Sequence, residues 1–526
     1  MVWSPIYFVV AAAYFIGLIL VGIWSARHKG DSNQYLNATA SLPTWVCATA
    51  CIAANCGSLD LFAMMALGAQ YGMLACHFYW IGAIPALLVV AFWLLPAYRR
   101  NRNPSILDFI DRHYGKTTRS LVALCMATMM LLIAGVSLYA AAQTLTDFLG
   151  WTFLQGALVA AAVVLFYTWV GGFRATVYTE LFHFGLVLIG VVPLLFLVVH
   201  ELGGPAKLMA SIPVGRSHAW QGVPLFAPHV VMDRFGLVLG LGLVLGFGFW
   251  GTDFVQLQRA LAVRREQDAP FIPLSIGFAK LAFAMLVVVT GVAAPLVLSK
   301  GSLSRNWNAT LPELMLHSYK SFWLFFGFMG LAASLISTFS NNVAGFTSAW
   351  VQSFYQQWIR PGASDAHYTL VSRITNAAAV LLAVGAAHFA FNFQSLMEYI
   401  QLILSTFNAP LFALVVLAMI MPRRVSAGGA AGFMLGLVCA VAHQILALTH
   451  VLHYGSQMAA NFYGAIVGFA VALLFTFLTG SMRGPAAWSA GLAKTIAERS
   501  IPVRWPAITA GLALGGLFIL FNAVFW

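Results

Sequence analysis

The chain has 526 residues, of which 61% are hydrophobic and only 8% charged. Soluble domains carry about 25% charged residues, so this composition excludes a soluble enzyme, a disordered regulator and a nucleic-acid-binding module, and it requires a bilayer. The formal charge of +12 comes from basic residues scattered in short gaps between apolar runs, where they report orientation rather than a nucleic-acid partner.

A spanning helix needs about 20 mostly apolar residues, and fourteen runs meet that rule. The first, 6–25, has no basic residue ahead of it and is long enough to span, so it is expected to be a retained helix rather than a signal peptide. With the loop behind it, it forms an N-terminal unit, 1–41. A block at 42–200 holds five runs: 42–73, 75–97, 120–148, 152–170 and 176–200. An outer loop at 201–235 follows. A second block at 236–421 holds five more: 236–258, 273–298, 319–354, 369–391 and 395–421. The remainder, 422–526, carries extra helices at 429–450, 459–480 and 506–526. The runs are too long and too continuously apolar for a β-barrel. The chain is therefore expected to be an all-α polytopic membrane protein.

With the N-terminus outside, 20 of the 27 Lys and Arg residues fall in inner loops, six in outer loops, and Lys280 within a span. That bias places both termini outside the cytoplasm of a cell (plasma or inner) membrane. Six cysteines all lie in apolar runs without metal or disulfide spacing, as packing residues do.

Three places are irregular. Run 42–73 contains Ala53-Ala54-Asn55-Cys56-Gly57-Ser58 followed by Asp60, run 236–258 contains Gly246-Phe-Gly-Phe-Trp-Gly251, and run 319–354 contains Ser334-Leu-Ile-Ser337-Thr338-Phe-Ser340-Asn341-Asn342. Runs 42–73 and 319–354 are also too long for one straight span. Interrupted helices at corresponding positions of two halves point to a transporter's binding site, and the two five-helix blocks suit an inverted repeat.

Ser334, Ser337 and Thr338 stand at i, i+3 and i+4 and so share a helix face. Hydroxyls and free carbonyls are oxygen ligands suited to a small alkali cation, and an unwound segment near Cys56 frees the carbonyls of Ala53 and Cys56 to complete the shell. The alternative is that these hydroxyls bond back to their own helix or help helices pack. Asp60, Glu180, Asp253, Lys280 and Glu398 put charge in or at the edges of spans. Lys280 either snorkels to the interface or pairs with Asp60. Glu180 and Asp253 are placed beside Arg174 and Arg259, and Glu398 opens its helix, where a carboxylate suits the dipole. The thirteen histidines include no HExxH pattern, and no P-loop or serine elbow is present, so no enzyme is expected.

Six segments in order resemble the sodium:solute symporter family, and within it the sodium/glucose cotransporter branch. They are Ala54-Asn-Cys-Gly-Ser-Leu-Asp60; His77-Phe-Tyr-Trp80; Phe166-Tyr-Thr-Trp-Val-Gly-Gly172 with Tyr178-Thr-Glu180; Trp250-Gly-Thr-Asp253 with Gln258-Arg259-Ala; Gly277-Phe-Ala-Lys280; and Tyr399-Ile-Gln401 with Pro410. The resemblance implies a leucine-transporter-type core of two inverted five-helix repeats, alternating access and a sodium gradient. It implies a sodium ion held by the carbonyls of Ala53, Cys56 and Ser334 and the hydroxyls of Ser337 and Thr338. It also implies a substrate site on Asn55, Asp60, Tyr79, Trp250, Lys280 and Gln401, with Phe249 near the inner gate. The chain departs from the branch at Asp60 and Tyr79, where the branch has His and Glu, and at Phe249, where it has Tyr.

The expected activity is sodium-coupled import of a small polar solute: a sugar, a polyol or a related metabolite. The partners implied are that solute and the bilayer. A proton-coupled symporter with Asp60 as the titrating group, and a membrane sensor or passive channel on the same fold, are the alternatives.

Overall fold

An apolar run in lipid must satisfy its backbone internally, and this chain does so with helices. The computed structural model describes residues 14, 16–17, 43–95, 106–253, 260, 263–298, 306–420, 426–481 and 504–526, apart from the side chains of 167–179, 266, 426–427 and 480–481. The first run, 6–25, thus lies outside the described residues except for Tyr14, Ile16 and Gly17. The basic loops at 18–42, 96–105, 254–259, 299–305, 421–425 and 482–503, and the Arg174 and Arg259 side chains, also lie outside them.

In chain order the helices are α1 (Thr44–Asn55), α2 (Ser58–Tyr71), α3 (Trp80–Val89), the short α4 (Ile106–Tyr114), α5 (Lys116–Leu149) and α6 (Phe153–Glu201). Two small helices, α7 (Pro205–Ser211) and α8 (Val214–Ser217), lie in the 201–235 segment. Then come α9 (Gly236–Thr252), α10 (Phe271–Val297), α11 (Thr310–Ser318), α12 (Ser321–Ile359), α13 (Asp365–Phe389), α14 (Leu396–Ile420), α15 (Ser426–Leu448), α16 (Gln457–Ser481) and α17 (Trp505–Val524). Among the described residues, 10 helical stretches are long and apolar enough to cross a membrane. Their outer faces carry exposed side chains such as Phe196, Leu381 and Leu512, as a lipid-facing surface does.

The structure differs from the sequence expectations in two helices. The runs at 152–170 and 176–200 form one continuous helix, α6, of 49 residues. No proline occurs between Phe153 and Pro193 to break its ladder, and the Gly171-Gly172 pair alone does not end it. At 1.5 Å per residue, 49 residues amount to about 74 Å, more than twice the apolar thickness of a bilayer. In α12 the polar stretch 334–342 causes no interruption, and the α-helix runs unbroken from Ser321 to Trp350. Two of its polar side chains bond back to the helix: Thr338 Oγ1 donates to the Ser334 carbonyl (3.0 Å) and Asn342 Nδ2 to the Thr338 carbonyl (2.9 Å). Of the other two places, run 42–73 splits into α1 and α2 as expected, whereas Gly246–Gly251 is not the irregular part of α9: Phe247–Thr252 is regular α-helix, and the wide winding lies ahead of it over Gly236–Gly246.

α12 packs on α5 and α6, α13 on α5, α15 on α16, and α10 on α2. Each end of α17 is tied to another part of the chain. Arg504 at one end pairs with Asp268 (3.0 Å). At the other end Asn522 accepts from Trp220 Nε1 (3.0 Å), and the Phe525 carbonyl accepts from the Ala219 amide (2.8 Å).

Small residues let α2 and α10 approach closely. A Cβ on Gly291 would lie 2.3 Å from the Met65 carbonyl oxygen, and one on Gly68 would lie 2.6 Å from that of Val288. Gly291→Ala is therefore expected to destabilise the protein by about 1–3 kcal/mol through overpacking. Gly385→Ala, in α13 with nothing within 4 Å of its would-be Cβ, is expected to stabilise by about 0.4–1 kcal/mol. Thermal unfolding of the two purified variants checks the opposite signs.

Candidate functional site

The site begins where α1 stops. Cys56 leaves helical geometry (φ −110°, ψ 28°) and Gly57 is extended (φ −75°, ψ 177°), so α2 restarts at Ser58. Any side chain at 57 would be tightly packed. A Cβ there would lie 3.0 Å from the Ala53 carbonyl oxygen, 3.1 Å from Ser334 Oγ and 3.5 Å from Thr338 Oγ1. Three oxygens from α1 and α12 therefore face one small space. The Ser58 amide, an orphan at the new N-terminus, donates to Ser334 Oγ at 2.8 Å. Among the described residues, neither the Ala53 nor the Cys56 carbonyl accepts a backbone hydrogen bond. Ser337 Oγ, on the same face of α12, is buried without a partner. The resemblance gives Ser334 a carbonyl role; that carbonyl accepts one hydrogen bond, from Thr338, and the Ser334 hydroxyl stands at the break. A set of neutral oxygens with unmet lone pairs fits a small, hard cation.

A cavity of about 210 Å³ adjoins the break, and Asn55, Asp60, Tyr79, Phe249, Trp250, Lys280 and Gln401 all line it. Lys280 on α10 does not snorkel. It is buried, and its Nζ donates to the Asn55 carbonyl (2.7 Å) and to Asp60 Oδ2 (3.0 Å). It also sits 4.6 Å from the centre of the Tyr79 ring, within cation–π range. Tyr79 OH donates to the same Asp60 oxygen at 2.7 Å. Trp250 Nε1 donates to the Gly82 carbonyl (3.1 Å), which fixes the indole, and Phe249 packs edge-on against it at 5.1 Å. Gln401 Oε1 is buried with no partner, and its amide nitrogen meets only Met397 Sδ at 3.7 Å. Thr338 lines the same cavity, so the oxygen cluster and the cavity share a wall.

The other charges lie apart from this cluster. Glu180 is buried and accepts from Asn341 Nδ2 on α12. Asp253, at the C-terminal end of α9, lines the cavity as well and has interactions of its own. Glu398, in the first turn of α14, is buried and accepts from Tyr71 OH (2.9 Å) and Gln70 Nε2 (3.4 Å) on α2. Sequence reasoning missed Phe78, Asn341, Asn342 and Met397 as cavity walls. The two asparagines had a signal, standing side by side in an otherwise apolar helix; the Phe and Met had none.

The sequence pattern of the sodium:solute symporter family matches residues 35–436, and the chain belongs to that family. It is similar to the sodium/glucose cotransporter of Vibrio parahaemolyticus, with 23% identity over 80% of this chain and 82% of that one. It is also similar to sodium/glucose cotransporter 2 of Rattus norvegicus, with 24% identity over 84% of this chain and 72% of the relative. Its fold is that of a Na+-coupled sialic acid symporter solved in a substrate-bound, outward-open state, with a TM-score of 0.77 at 14% identity over 92% of this chain and 99% of that one. The protein is thus a multi-pass membrane transporter and not an enzyme.

A buried charge left alone costs far more than the pair that neutralises it. Lys280→Met and Asp60→Asn are each expected to destabilise the protein, by up to about 3–5 kcal/mol. The double variant Asp60→Asn/Lys280→Met is expected to be more stable than the worse single change. A thermal-unfolding double-mutant cycle measures that coupling.

Proposed function

We propose that this protein imports a small polar solute by sodium-coupled symport with alternating access between two inverted five-helix repeats, 42–200 and 236–421. The observation that supports the reading is the break at Cys56-Gly57, where the Ala53 carbonyl shares one small space with the Ser334 and Thr338 hydroxyls of α12, and neither the Ala53 nor the Cys56 carbonyl accepts a backbone hydrogen bond among the described residues. Sodium binds there, with Ser337 supplying a further oxygen, and ties α1 to α12. Because Thr338 also lines the cavity, the bound ion orders the wall that meets the solute. Asn55, Asp60, Tyr79, Trp250, Lys280 and Gln401 hold the solute, and Phe249 stands at the inner gate. The excess of basic residues in loops on one side supports extracytoplasmic termini in a cell membrane. Sugars head the candidate solutes, because the two curated relatives are named for glucose. No observation favours the proton-coupled or sensor readings: Asp60 Oδ2 is already engaged by Lys280 and Tyr79.

The test is uptake of labelled solutes into proteoliposomes under an inward sodium gradient. Accumulation that collapses when the gradient is dissipated supports symport, and equilibration without accumulation supports a channel. For the ion site, Thr338→Ala is expected to raise the sodium concentration for half-maximal thermal stabilisation about tenfold or more, with the melting temperature in potassium little changed. Unaltered sodium dependence in that variant counts against the site.

A further inference from the structure

α12 carries more polar side chains than an apolar span needs, and several of them already have work. Ser334 Oγ holds the Ser58 amide, Asn341 Nδ2 donates to Glu180, and Thr338 Oγ1 faces the space beside Gly57. Asn342 is different, because it has no partner on another element. Its Nδ2 spends one hydrogen on the Thr338 carbonyl, one turn back in the same helix (2.9 Å). Among the described residues its second amide hydrogen and its Oδ1 are unpaired. Asn341 is buried, whereas Asn342 is half-buried and lines the cavity. A polar side chain inside a span is costly and marks function more often than packing.

The six other residues proposed to hold the solute stand on α1 (Asn55), α2 (Asp60), the turn before α3 (Tyr79), α9 (Trp250), α10 (Lys280) and α14 (Gln401). None stands on α12. A solute held by those six alone would leave α12 untouched, although the proposed ion ties α12 to α1. A solute that also reaches Asn342 spans the same gap as the ion. Thr338 and Asn342 lie at i and i+4, on one face and about 6 Å apart along the axis. Ion and solute would then meet neighbouring side chains. The free half of the Asn342 amide offers a donor and an acceptor together, which suits a hydroxyl, itself both.

We propose that Asn342 binds a hydroxyl of the solute directly, so that the solute bridges α12 to the α1–α2 side of the cavity. This rests on the symport reading and names the residue of α12 through which ion and solute assist each other.

The test is thermal stability of the purified full chain, titrated with glucose in sodium and in potassium, and with sodium alone. Asn342→Ala and Asn342→Leu both remove the hydrogen bonds, the first by shrinking the side chain and the second at similar volume. In the unaltered protein glucose is expected to raise the melting temperature, with a lower half-saturating concentration in sodium than in potassium. In both variants that concentration in sodium is expected to rise about tenfold, and the difference between the two salts to shrink. The half-saturating sodium concentration without glucose should stay within about twofold. A change that merely loosens the fold lowers the melting temperature in every condition and leaves these concentrations in place. If Asn342→Leu does not fold, Asn342→Ala alone decides.

An unchanged glucose titration, or a loss shown by only one of two folded variants, overturns the inference. A parallel weakening of the sodium response assigns Asn342 to the ion and overturns it too. No glucose response in the unaltered protein in sodium strikes the sugar-symport reading, and the inference with it. That failure is seen without any variant, so the two are distinguishable.

Discussion

A helix that stops inside a bilayer strands carbonyls at one end and amides at the other, and no water is there to meet them. Between Asn55 and Ser58 the protein answers this with side chains from distant helices. Lys280 donates to the Asn55 carbonyl at the C-terminal end of α1, and Ser334 Oγ accepts from the Ser58 amide at the N-terminal start of α2. Asp60 stands in the first turn of α2. The cation therefore sits at the negative end of one helix dipole and the anion at the positive end of the next, and the Lys280–Asp60 pair bridges the gap. A buried ion pair is often a poor source of stability. Here the two backbone ends would each need a partner even without it.

That one bridge also shapes the cavity. It draws α10 toward the break, and the backbones of α2 and α10 meet at Gly68 and Gly291 with no room for a side chain. Asp60 and Tyr79, two positions at which the chain departs from the glucose-branch pattern, touch each other through a 2.7 Å hydrogen bond. They are one coupled change. The Tyr79 hydroxyl supplies a neutral donor to the carboxylate, and its ring supplies a face to the ammonium that balances it.

Much of this was legible in the sequence because lipid forbids what water permits. An Asn-Cys-Gly-Ser run with an Asp behind it has no place in a straight apolar helix, and the break falls there. The glycines at 246–251 misled: that stretch is regular helix, and the wide winding of α9 lies ahead of it. The polar run in α12 misled for a related reason: Thr338 and Asn342 bond to their own helix, which removes any need to unwind it. The length of α6 was not legible, because no proline or polar loop marks its middle and periodicity cannot tell two joined spans from one long helix. Nor was the partner of Lys280. Asp60 lies 220 residues away in sequence, and the choice between snorkelling and pairing depends on which helices pack together.

The oxygens facing Gly57 come from two helices and the groups around the cavity from several more, yet the two sets share a wall. Thr338 belongs to both. Its hydroxyl points at the space beside Gly57, and it lines the cavity with Asn341 and Asn342. An ion held between α1 and α12 fixes the relation of those helices, and with it the distance from Asn55 and Asp60 to the asparagine wall. On the proposed reading, the ion would be the partner that the Ala53 and Cys56 carbonyls lack in the backbone. Coupling on this reading needs no long-range signal. One interrupted helix presents its released carbonyls to the ion and its side chains to the solute, so each occupant stabilises the conformation the other requires.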